Sequence, residues 1–333
     1  MKAVALTAPG EVKVLQIPEP IPQDEDILLK VELVGLCGSD LNSYRGMNPL
    51  VSYPRVIGHE IAATVLQGNS EFAPGTQVNV SPYTSCGRCA SCRRGRPNAC
   101  QFNQTYGVQR DGAMTELLSV PDEKVYASSL SHTELCLVEP LTVGMHAVSR
   151  ARVTKNDVVA VYGCGGVGLG AIAGAAFRGA VTVAIDVDDE KLGIAEACGA
   201  AHIIHSGRES MHDRLGELTE GLGPDVVIEA VGLPQTFRCA VEEVAFSGRV
   251  VYIGYAKEPV SYETRLFVQK ELDILGSRNA LPEDFKEVMN LLAAGSFPVD
   301  RVITSVVSLD DAPEALARWA AHPASVTKIV VEI

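Results

Sequence analysis

The chain has 333 residues, 47% of them hydrophobic and 21% charged; this composition excludes a disordered protein, and the length favours two domains. A formal net charge of −13 argues against a protein that binds the phosphate backbone of nucleic acid, because such binding needs a basic face. The apolar runs are too short for a transmembrane helix, and the first residues lack the apolar stretch of a signal peptide. We therefore expect neither a nucleic-acid nor a membrane partner.

The first part of the chain, residues 1–145, is predicted to form short strands separated by proline and glycine. Apolar or alternating segments mark these strands: Lys2–Leu6, Glu11–Ile17, Ile27–Leu36, Val56–Val65 and Gln77–Val80. They predict a partly open β-barrel.

Four cysteines lie close together at about residues 82–104, namely Cys86, Cys89, Cys92 and Cys100. Four thiolates at this spacing suit the closed tetrahedral shell of a structural zinc ion. Disulfides are typical of small secreted domains, and this chain is neither small nor visibly secreted. We therefore predict a structural zinc lobe, and reduced cysteines in such a lobe fit a cytoplasmic setting.

From Val158 onward the chain alternates strands with helices, which predicts a doubly wound parallel sheet. The strands are Val158–Tyr162, Val181–Ile185, Asp225–Glu229, Arg249–Ile253 and Leu272–Gly276, with helices starting at Gly166 and Asp189. Helices Glu283–Ala294, preceded by Pro282, and Leu309–Ala320 follow, and then a strand, Lys328–Ile333. We expect this tail to return to the barrel, so that the barrel domain comprises residues 1–145 and 276–333 and the nucleotide domain residues 146–275.

A G-x-G-x-x-G motif, formed by Gly163, Gly165 and Gly168, directly follows the first of these strands and opens a helix. Such glycines allow a tight turn and let the backbone approach a pyrophosphate at the helix N-terminus. The next strand is followed by Asp186, 18 residues past Gly168. An acidic side chain there binds the adenosine ribose and repels a 2′-phosphate, so we predict NAD rather than NADP.

Further cofactor contacts are assigned to the same turn, to the second helix and to the ends of the later strands. These residues are Gly166, Val167, Lys191, Val231, Gly232, Ile253, Gly254 and Arg278.

A second metal site is suggested by Cys37, by His59-Glu60 and by Glu139. One thiolate, one imidazole and carboxylates form a plausible zinc set that leaves room for water or substrate. Each residue also has a simpler interpretation: Cys37 as a small buried side chain, His59 as a core histidine and Glu139 as a carboxylate at the start of a helix. The nearby zinc lobe and the dinucleotide motif favour the metal site.

With these motifs in this order, the chain resembles the zinc-dependent medium-chain alcohol dehydrogenases over essentially its whole length. The resemblance implies a GroES-like domain that holds both zinc ions, an inserted Rossmann domain and an active site in the cleft between them. It also implies that Cys37, His59 and Glu60 surround the catalytic zinc, where the residue matching Glu60 either ligates the metal or alternates with water. Glu139 matches an extra glutamate of the polyol and threonine dehydrogenase branch.

Three short segments resemble a narrower group, the hexonate 5-dehydrogenases, which oxidise L-galactonate or L-gulonate at C5. These segments are 52–60, 107–112 and 276–280. The chain departs from the wider family at Asn42, where many members have a histidine that takes part in proton relay, and at Ala63, where the family has glycine.

The leading hypothesis is therefore zinc-dependent oxidation of a secondary hydroxyl on a sugar acid, with hydride transfer to NAD⁺. Zinc would lower the pKa of the substrate hydroxyl, Ser39 would accept its proton, and Arg278 would bind the substrate carboxylate with two parallel hydrogen bonds. Arg278 would equally suit a role in supporting the cofactor phosphate; Glu139 and Asn279 are further substrate candidates.

The alternatives are a polyol, polyol-phosphate or L-threonine dehydrogenase and, from another class, a non-catalytic nucleotide-binding protein. The resemblance also implies a homodimer or homotetramer.

Overall fold

The computed structural model describes residues 1–323 and 326–333. The chain divides into two compact units. The first comprises Met1–Glu139 and Val299–Ile333, and the second comprises Pro140–Pro298.

The strands of the structure are, in chain order, β1 (Lys2–Ala8), β2 (Glu11–Gln16), β3 (Asp26–Leu36), β4 (Arg55–Val56), β5 (Glu60–Gln67), β6 (Gln77–Val80), β7 (Leu117–Pro121), β8 (Val125–Ala127), β9 (Val158–Tyr162), β10 (Val181–Asp186), β11 (His202–His205), β12 (Val226–Glu229), β13 (Arg249–Tyr252), β14 (Asp273–Gly276), β15 (Ser305–Ser308) and β16 (Ile329–Glu332). The helices are α1 (Gly38–Tyr44), α2 (His132–Arg150), α3 (Gly166–Phe177), α4 (Asp189–Ala197), α5 (Met211–Leu218), α6 (Pro234–Glu243), α7 (Arg265–Gln269), α8 (Pro282–Ala293), α9 (Val299–Val302) and α10 (Ala312–Ala321). None of these helices is long and apolar enough to cross a membrane.

The first unit contains two sheets. One has the strand order β2-β1-β4, and the other has the order β15-β16-β3-β5-β6-β8 with β7 paired to β3. The last strand of the chain, β16, pairs antiparallel with β3, so the tail returns to the N-terminal unit as we expected. Apolar side chains of both sheets form the core of this unit, among them Leu6, Leu29 and Ile61.

The segment Val56–Val65, which we predicted as one strand, is two strands in the structure. The break lies at Gly58, whose φ of 98° belongs to the left-handed region that favours glycine. The turn places His59 immediately before β5, and Glu60 pairs with Gly35 near the end of β3. Because Cys37 follows β3, this break brings the candidate metal residues to one end of the sheet.

The second unit is a six-stranded parallel sheet with the order β11-β10-β9-β12-β13-β14. Counted from β9 as the first strand, this is the 3-2-1-4-5-6 order of a dinucleotide-binding sheet, whose direction switches between β9 and β12. Its strands are rich in valine and isoleucine because helices cover both faces. The predicted doubly wound parallel sheet is confirmed.

Helix α8 belongs to this second unit in the structure, although we expected the barrel domain to resume at residue 276. Helix α8 is attached to the second unit by polar contacts as well as by apolar packing. Arg178 pairs with Glu287 of α8 at 2.7 Å, and the buried His146 lies 2.7 Å from Asp284 at the start of α8. These partners are distant in sequence, so the pattern of α8 alone could not show which unit it joins.

Candidate active site and metal centres

The four cysteines of the zinc lobe converge on one point. Their sulfur atoms all lie within 4.8 Å of one another, with 3.4 Å between Cys89 and Cys92 and 3.8 Å between Cys89 and Cys100. These separations are too long for a disulfide bond, and all nine cysteines are free. Zinc–sulfur bonds of about 2.3 Å in a tetrahedron place the sulfurs about 3.8 Å apart, so the lobe fits a structural zinc ion.

The thiol groups of this lobe do not share one protonation behaviour. A hydrogen bond from the Ser91 hydroxyl lowers the pKa of Cys89 to about 5. Burial and the neighbouring thiols Cys89 and Cys100 raise the pKa of Cys92 to about 11. Four sulfurs at this distance cannot all be ionised without a cation between them, which supports the same conclusion.

The second cluster consists of Cys37, His59 and Glu60, whose ligand atoms also lie within 4.8 Å of one another. Its members come from two places, the residue after β3 and the turn into β5. His59 is 5% exposed and Glu60 is fully buried. A partly buried thiol with a buried imidazole and carboxylate at this distance forms a donor set that suits zinc, and we therefore conclude that these residues fit a catalytic zinc ion.

Asp40 contacts two members of this cluster, Cys37 and His59. Its Oδ2 atom accepts the Cys37 amide at 2.9 Å, and its Oδ1 atom lies 3.9 Å from Nδ1 of His59. Burial lowers the pKa of His59, but the charges of Asp40 and Cys37 outweigh it and hold that pKa well above the usual value. Neither His59 Nδ1 nor Asp40 Oδ1 has a hydrogen-bond partner among the residues that the structure describes. A carboxylate behind a metal-binding imidazole is the common outer arrangement of such sites.

Glu60 is held by a lysine from the far end of the chain. The Nζ atom of Lys328 lies 2.6 Å from both carboxylate oxygens and donates to the carbonyl of Leu36 at 3.3 Å. Burial lowers the pKa of Lys328, but the charges of Glu60 and Cys37 raise it above the ordinary value. The lysine therefore neutralises Glu60 and competes with a metal ion for its oxygens.

Glu139 lies inside α2, directly before Pro140, and is not at the start of a helix. It is 4% exposed, and its Oε1 atom accepts a hydrogen bond from the hydroxyl of Tyr83, which is also buried. Burial raises the pKa of Glu139, and the charge of nearby His59 offsets part of that rise. Glu139 is absent from the three-residue cluster that lies within 4.8 Å, so its role as a metal ligand stays a prediction.

Ser39 lies in α1, and its hydroxyl oxygen is 3.5 Å from Nε2 of His59. The structure thus places Ser39 beside the candidate metal cluster, and its role as the proton acceptor stays a prediction.

The glycine-rich turn has the form that the sequence predicted. It joins β9 to α3, with Gly165 as the residue that caps the helix. A side chain at Gly168 would place its Cβ atom 1.8 Å from the carbonyl oxygen of Gly163, so only glycine fits there. The carboxylate of Asp186 accepts the Cys164 and Val187 amides, each at 2.7 Å, and ties the end of β10 to this turn.

The other predicted cofactor residues lie mainly at the carboxyl ends of the parallel strands, where ligands of such sheets bind. Val231 and Gly232 follow β12, Ile253 and Gly254 follow β13, Arg278 follows β14, and Lys191 lies in the first turn of α4. Arg278 and Asn279 are half-buried. Their contacts with cofactor or substrate stay predictions.

Glu229, at the end of β12, organises this edge of the sheet. Its Oε1 atom accepts hydrogen bonds from the amides of Val231 at 2.9 Å and Gly232 at 2.7 Å and from the Thr236 hydroxyl at 2.7 Å. Burial raises the pKa of Glu229.

Four residues of these sites were missed by the sequence reasoning: Asp40, Tyr83, Glu229 and Lys328. Asp40 is three residues past Cys37, and this spacing was the one available signal. For Glu229 the signal was its position as an acidic residue at the end of an apolar strand. Nothing in the sequence around Lys328 or Tyr83 indicates a partner that is distant along the chain.

Comparison with protein families agrees with this architecture. Residues 23–129 match the model described as an alcohol dehydrogenase GroES-like domain. Residues 166–294 match the model of a zinc-binding dehydrogenase. The two matches fall in the first and second units of the structure, respectively.

Curated relatives match nearly the whole chain. L-galactonate-5-dehydrogenase of Escherichia coli K12 is 33% identical over 308 residues, which cover 91% of each protein. Sorbitol dehydrogenase of Bacillus subtilis is 32% identical over 334 residues, which cover 96% of this chain and 93% of the relative.

Solved structures superpose over all of this chain. One is an alcohol dehydrogenase of Escherichia coli CFT073 in complex with NADH, with a TM-score of 0.91 and 27% identity. The superposition covers 99% of that protein. A zinc-binding dehydrogenase of Sinorhizobium meliloti bound to NADP has a TM-score of 0.92 at 30% identity, again covering 99%. The chain belongs to the zinc-dependent medium-chain alcohol dehydrogenase family and is an oxidoreductase that acts on CH–OH donors.

Proposed function

We propose that this enzyme oxidises a secondary hydroxyl of a sugar acid, at C5 of an L-galactonate or L-gulonate type of substrate, and transfers the hydride to NAD⁺. The observation that carries the chemistry is the cluster of the partly buried Cys37 with the buried His59 and Glu60. The substrate class is supported by the 33% identity to the L-galactonate-5-dehydrogenase of Escherichia coli K12.

The proposed reaction converts one secondary alcohol and NAD⁺ into one ketone, NADH and one proton. Zinc bound by the cluster would polarise the substrate hydroxyl and lower its pKa, and the nicotinamide would accept the hydride. Cys37 and His59 would hold the metal, with Asp40 orienting the imidazole. Ser39, whose oxygen lies beside His59, would relay the hydroxyl proton: its oxygen would accept that proton while its own hydroxyl proton passes to water.

The preference for NAD⁺ over NADP⁺ belongs to this proposal, since similar structures have been solved with either cofactor. Two features support it. Asp186 closes β10 where the adenosine ribose binds in such folds. The nearby cation Arg208 is paired with Asp189 through two contacts of 2.9 and 2.7 Å, which would compete with a 2′-phosphate for its guanidinium.

Replacing Asp186 with Ser tests this preference. The variant should bind NADPH about tenfold more tightly than the wild type, because one negative charge near the phosphate is removed. Titration of nucleotide fluorescence measures the binding, with Glu190→Gln as the control for a general loss of acidic charge. Unchanged discrimination between NADH and NADPH would show that Asp186 is not the discriminating residue.

The substrate is tested by following NADH formation with zinc-replete enzyme. The substrates are L-galactonate, L-gulonate, L-idonate, sorbitol, galactitol 1-phosphate and L-threonine. We expect turnover with an aldonate, and we expect Arg278→Met to raise KM for that aldonate because a carboxylate partner is lost. Turnover confined to neutral polyols would retain the zinc chemistry and overturn the sugar-acid proposal.

A polyol is the second candidate substrate. It is favoured by one specific observation, the 32% identity to a sorbitol dehydrogenase over nearly the full length of both proteins. A neutral polyol needs no cation in the site, so with such a substrate Arg278→Met should leave KM unchanged.

We also propose that the protein assembles as a homodimer or homotetramer. Strand β14 is the edge of the six-stranded sheet, where unpaired backbone groups can pair with a second copy. Ile274, 38% exposed, lies in this strand, and Val268, 84% exposed, lies in α7, which directly precedes it along the chain. Light scattering after size-exclusion chromatography measures the assembly; a monomer would overturn the proposal.

A further inference from the structure

One side chain connects the segment that enters the four-cysteine lobe to Glu139. Tyr83 lies three residues before Cys86, at the entrance of the zinc lobe, and its hydroxyl donates a hydrogen bond to the carboxylate of Glu139. We propose that Tyr83 is a positioning residue that sets the orientation of Glu139 toward the catalytic metal, so that the structural zinc lobe controls the geometry of the catalytic site. This inference rests on the proposed function, because it assumes that a catalytic metal is bound near Glu139.

The lobe holds the segment that carries Tyr83 from two sides. The amide of Thr84 donates to the side chain of Asn103 at 3.0 Å, and the amide of Tyr106 donates to the carbonyl of Pro82 at 3.0 Å. The amide of Gln104 donates to the Thr84 hydroxyl at 2.7 Å. The segment that enters the lobe is therefore bonded to the segment that leaves it.

The cysteine shell closes the same pair of segments. Cys86 lies on the entering segment and Cys100 on the leaving one, and the Cys86 amide donates to the Cys100 sulfur at 3.4 Å. A metal ion bound by these thiolates would fix the two segments against each other. Because Tyr83 precedes Cys86 by three residues, its position depends on that closure.

At the other end of the bond, Glu139 is a buried carboxylate in the middle of a helix. A buried carboxylate that ligates a metal, or bonds to a metal-bound water, needs a fixed direction for its oxygens. The Tyr83 hydroxyl supplies that restraint by occupying Oε1. Only 7% of the Tyr83 residue is exposed to solvent, so water does not readily replace its hydroxyl in the bond to Glu139.

Tyr83→Phe separates this role from simple packing, because phenylalanine keeps the ring and removes only the hydroxyl. The matched control is Tyr106→Phe, which makes the same change at another buried tyrosine next to the lobe. Zinc content is measured by mass spectrometry. The rate at which each zinc ion is released is followed with a chelator that changes colour when it binds zinc, and NADH binding is measured by fluorescence.

We expect two zinc ions in each protein. In Tyr83→Phe one of them should be released about tenfold faster than in the wild type, and kcat should fall by a similar factor, as is common when an outer hydrogen bond to a metal site is lost. NADH binding should not change, and Tyr106→Phe should behave as the wild type does.

Equal release rates in Tyr83→Phe and wild type would overturn this inference and leave the proposed function intact. A wild type that binds only the zinc of the lobe would instead overturn the proposed function.

A second arm tests the link to the lobe. Cys92→Ser, which removes a ligand of the structural site, should also speed release of the catalytic zinc. If the effect passes through Tyr83, adding Tyr83→Phe to Cys92→Ser should speed that release little further. Full additivity of the two changes would show that the lobe and Tyr83 act separately, and would overturn the claim that the lobe acts through this residue.

Discussion

The two candidate metal sites of the first unit share cysteine as a ligand but are built in different ways. The zinc lobe takes all four thiolates from fifteen consecutive residues, Cys86 to Cys100, and needs only local turns to close. The catalytic cluster joins Cys37 to His59 and Glu60, and it is supported by Asp40 and by Lys328. A local site is visible in the sequence, whereas a dispersed site is assembled by the sheet.

This difference has a chemical counterpart. The ligand set of the lobe is closed, with four sulfurs and no position for a substrate. In the dispersed cluster, Lys328 bonds to both carboxylate oxygens of Glu60, so a zinc ion held by Cys37 and His59 would have room for water or substrate. Loss of a metal ligand is therefore expected to lower mainly stability at the first site and mainly turnover at the second.

The largest effect should come from Cys37→Ser. Loss of the catalytic zinc should remove several kcal/mol of transition-state stabilisation and lower kcat/KM about a thousandfold. NADH binding should be retained, because the dinucleotide motif is untouched. Cys239→Ser, at a half-buried cysteine of the second unit, is the control and should remain active. Near-full turnover of Cys37→Ser would show that the zinc assignment is wrong.

Lys328→Met should have the next largest effect, on stability. It leaves the buried carboxylate of Glu60 without its partner, which is expected to cost about 3 kcal/mol. Urea denaturation measures the loss. The double variant Lys328→Met with Glu60→Gln should recover much of it, and Lys328→Arg should keep the charge. If the double variant is no more stable than Lys328→Met, the ion pair is not the cause of the loss.

Cys92→Ser should lower Tm by about 5 °C or more, because a structural zinc contributes directly to folding free energy. The same measurement on Cys37→Ser should show a smaller change. Differential scanning calorimetry of both variants, together with their zinc content, tests whether the two sites divide stability and catalysis as proposed. Equal shifts in Tm would contradict that division.

Much of the fold follows from local patterns. Valine-rich strands between helices predicted the parallel sheet, and the turn from Gly163 to Gly168 predicted where the cofactor binds. The break at Gly58 was missed, because one glycine in an apolar run does not show that its φ must be positive. Helix α2 was also missed, and with it the position of Glu139 in the middle of a helix.

The sequence by itself determined the four-cysteine lobe and the dinucleotide turn, because within such short motifs spacing along the chain reflects distance in space. For the dispersed cluster it supplied the residue types only. Only the tertiary structure decided that Lys328 neutralises Glu60, 268 residues away, and that Tyr83 bonds to Glu139. The same holds for the place of α8 in the second unit. The physical reason is that a buried charge or hydroxyl takes its partner from whichever strand or helix packs against it, and strand order in the sheets sets that neighbour.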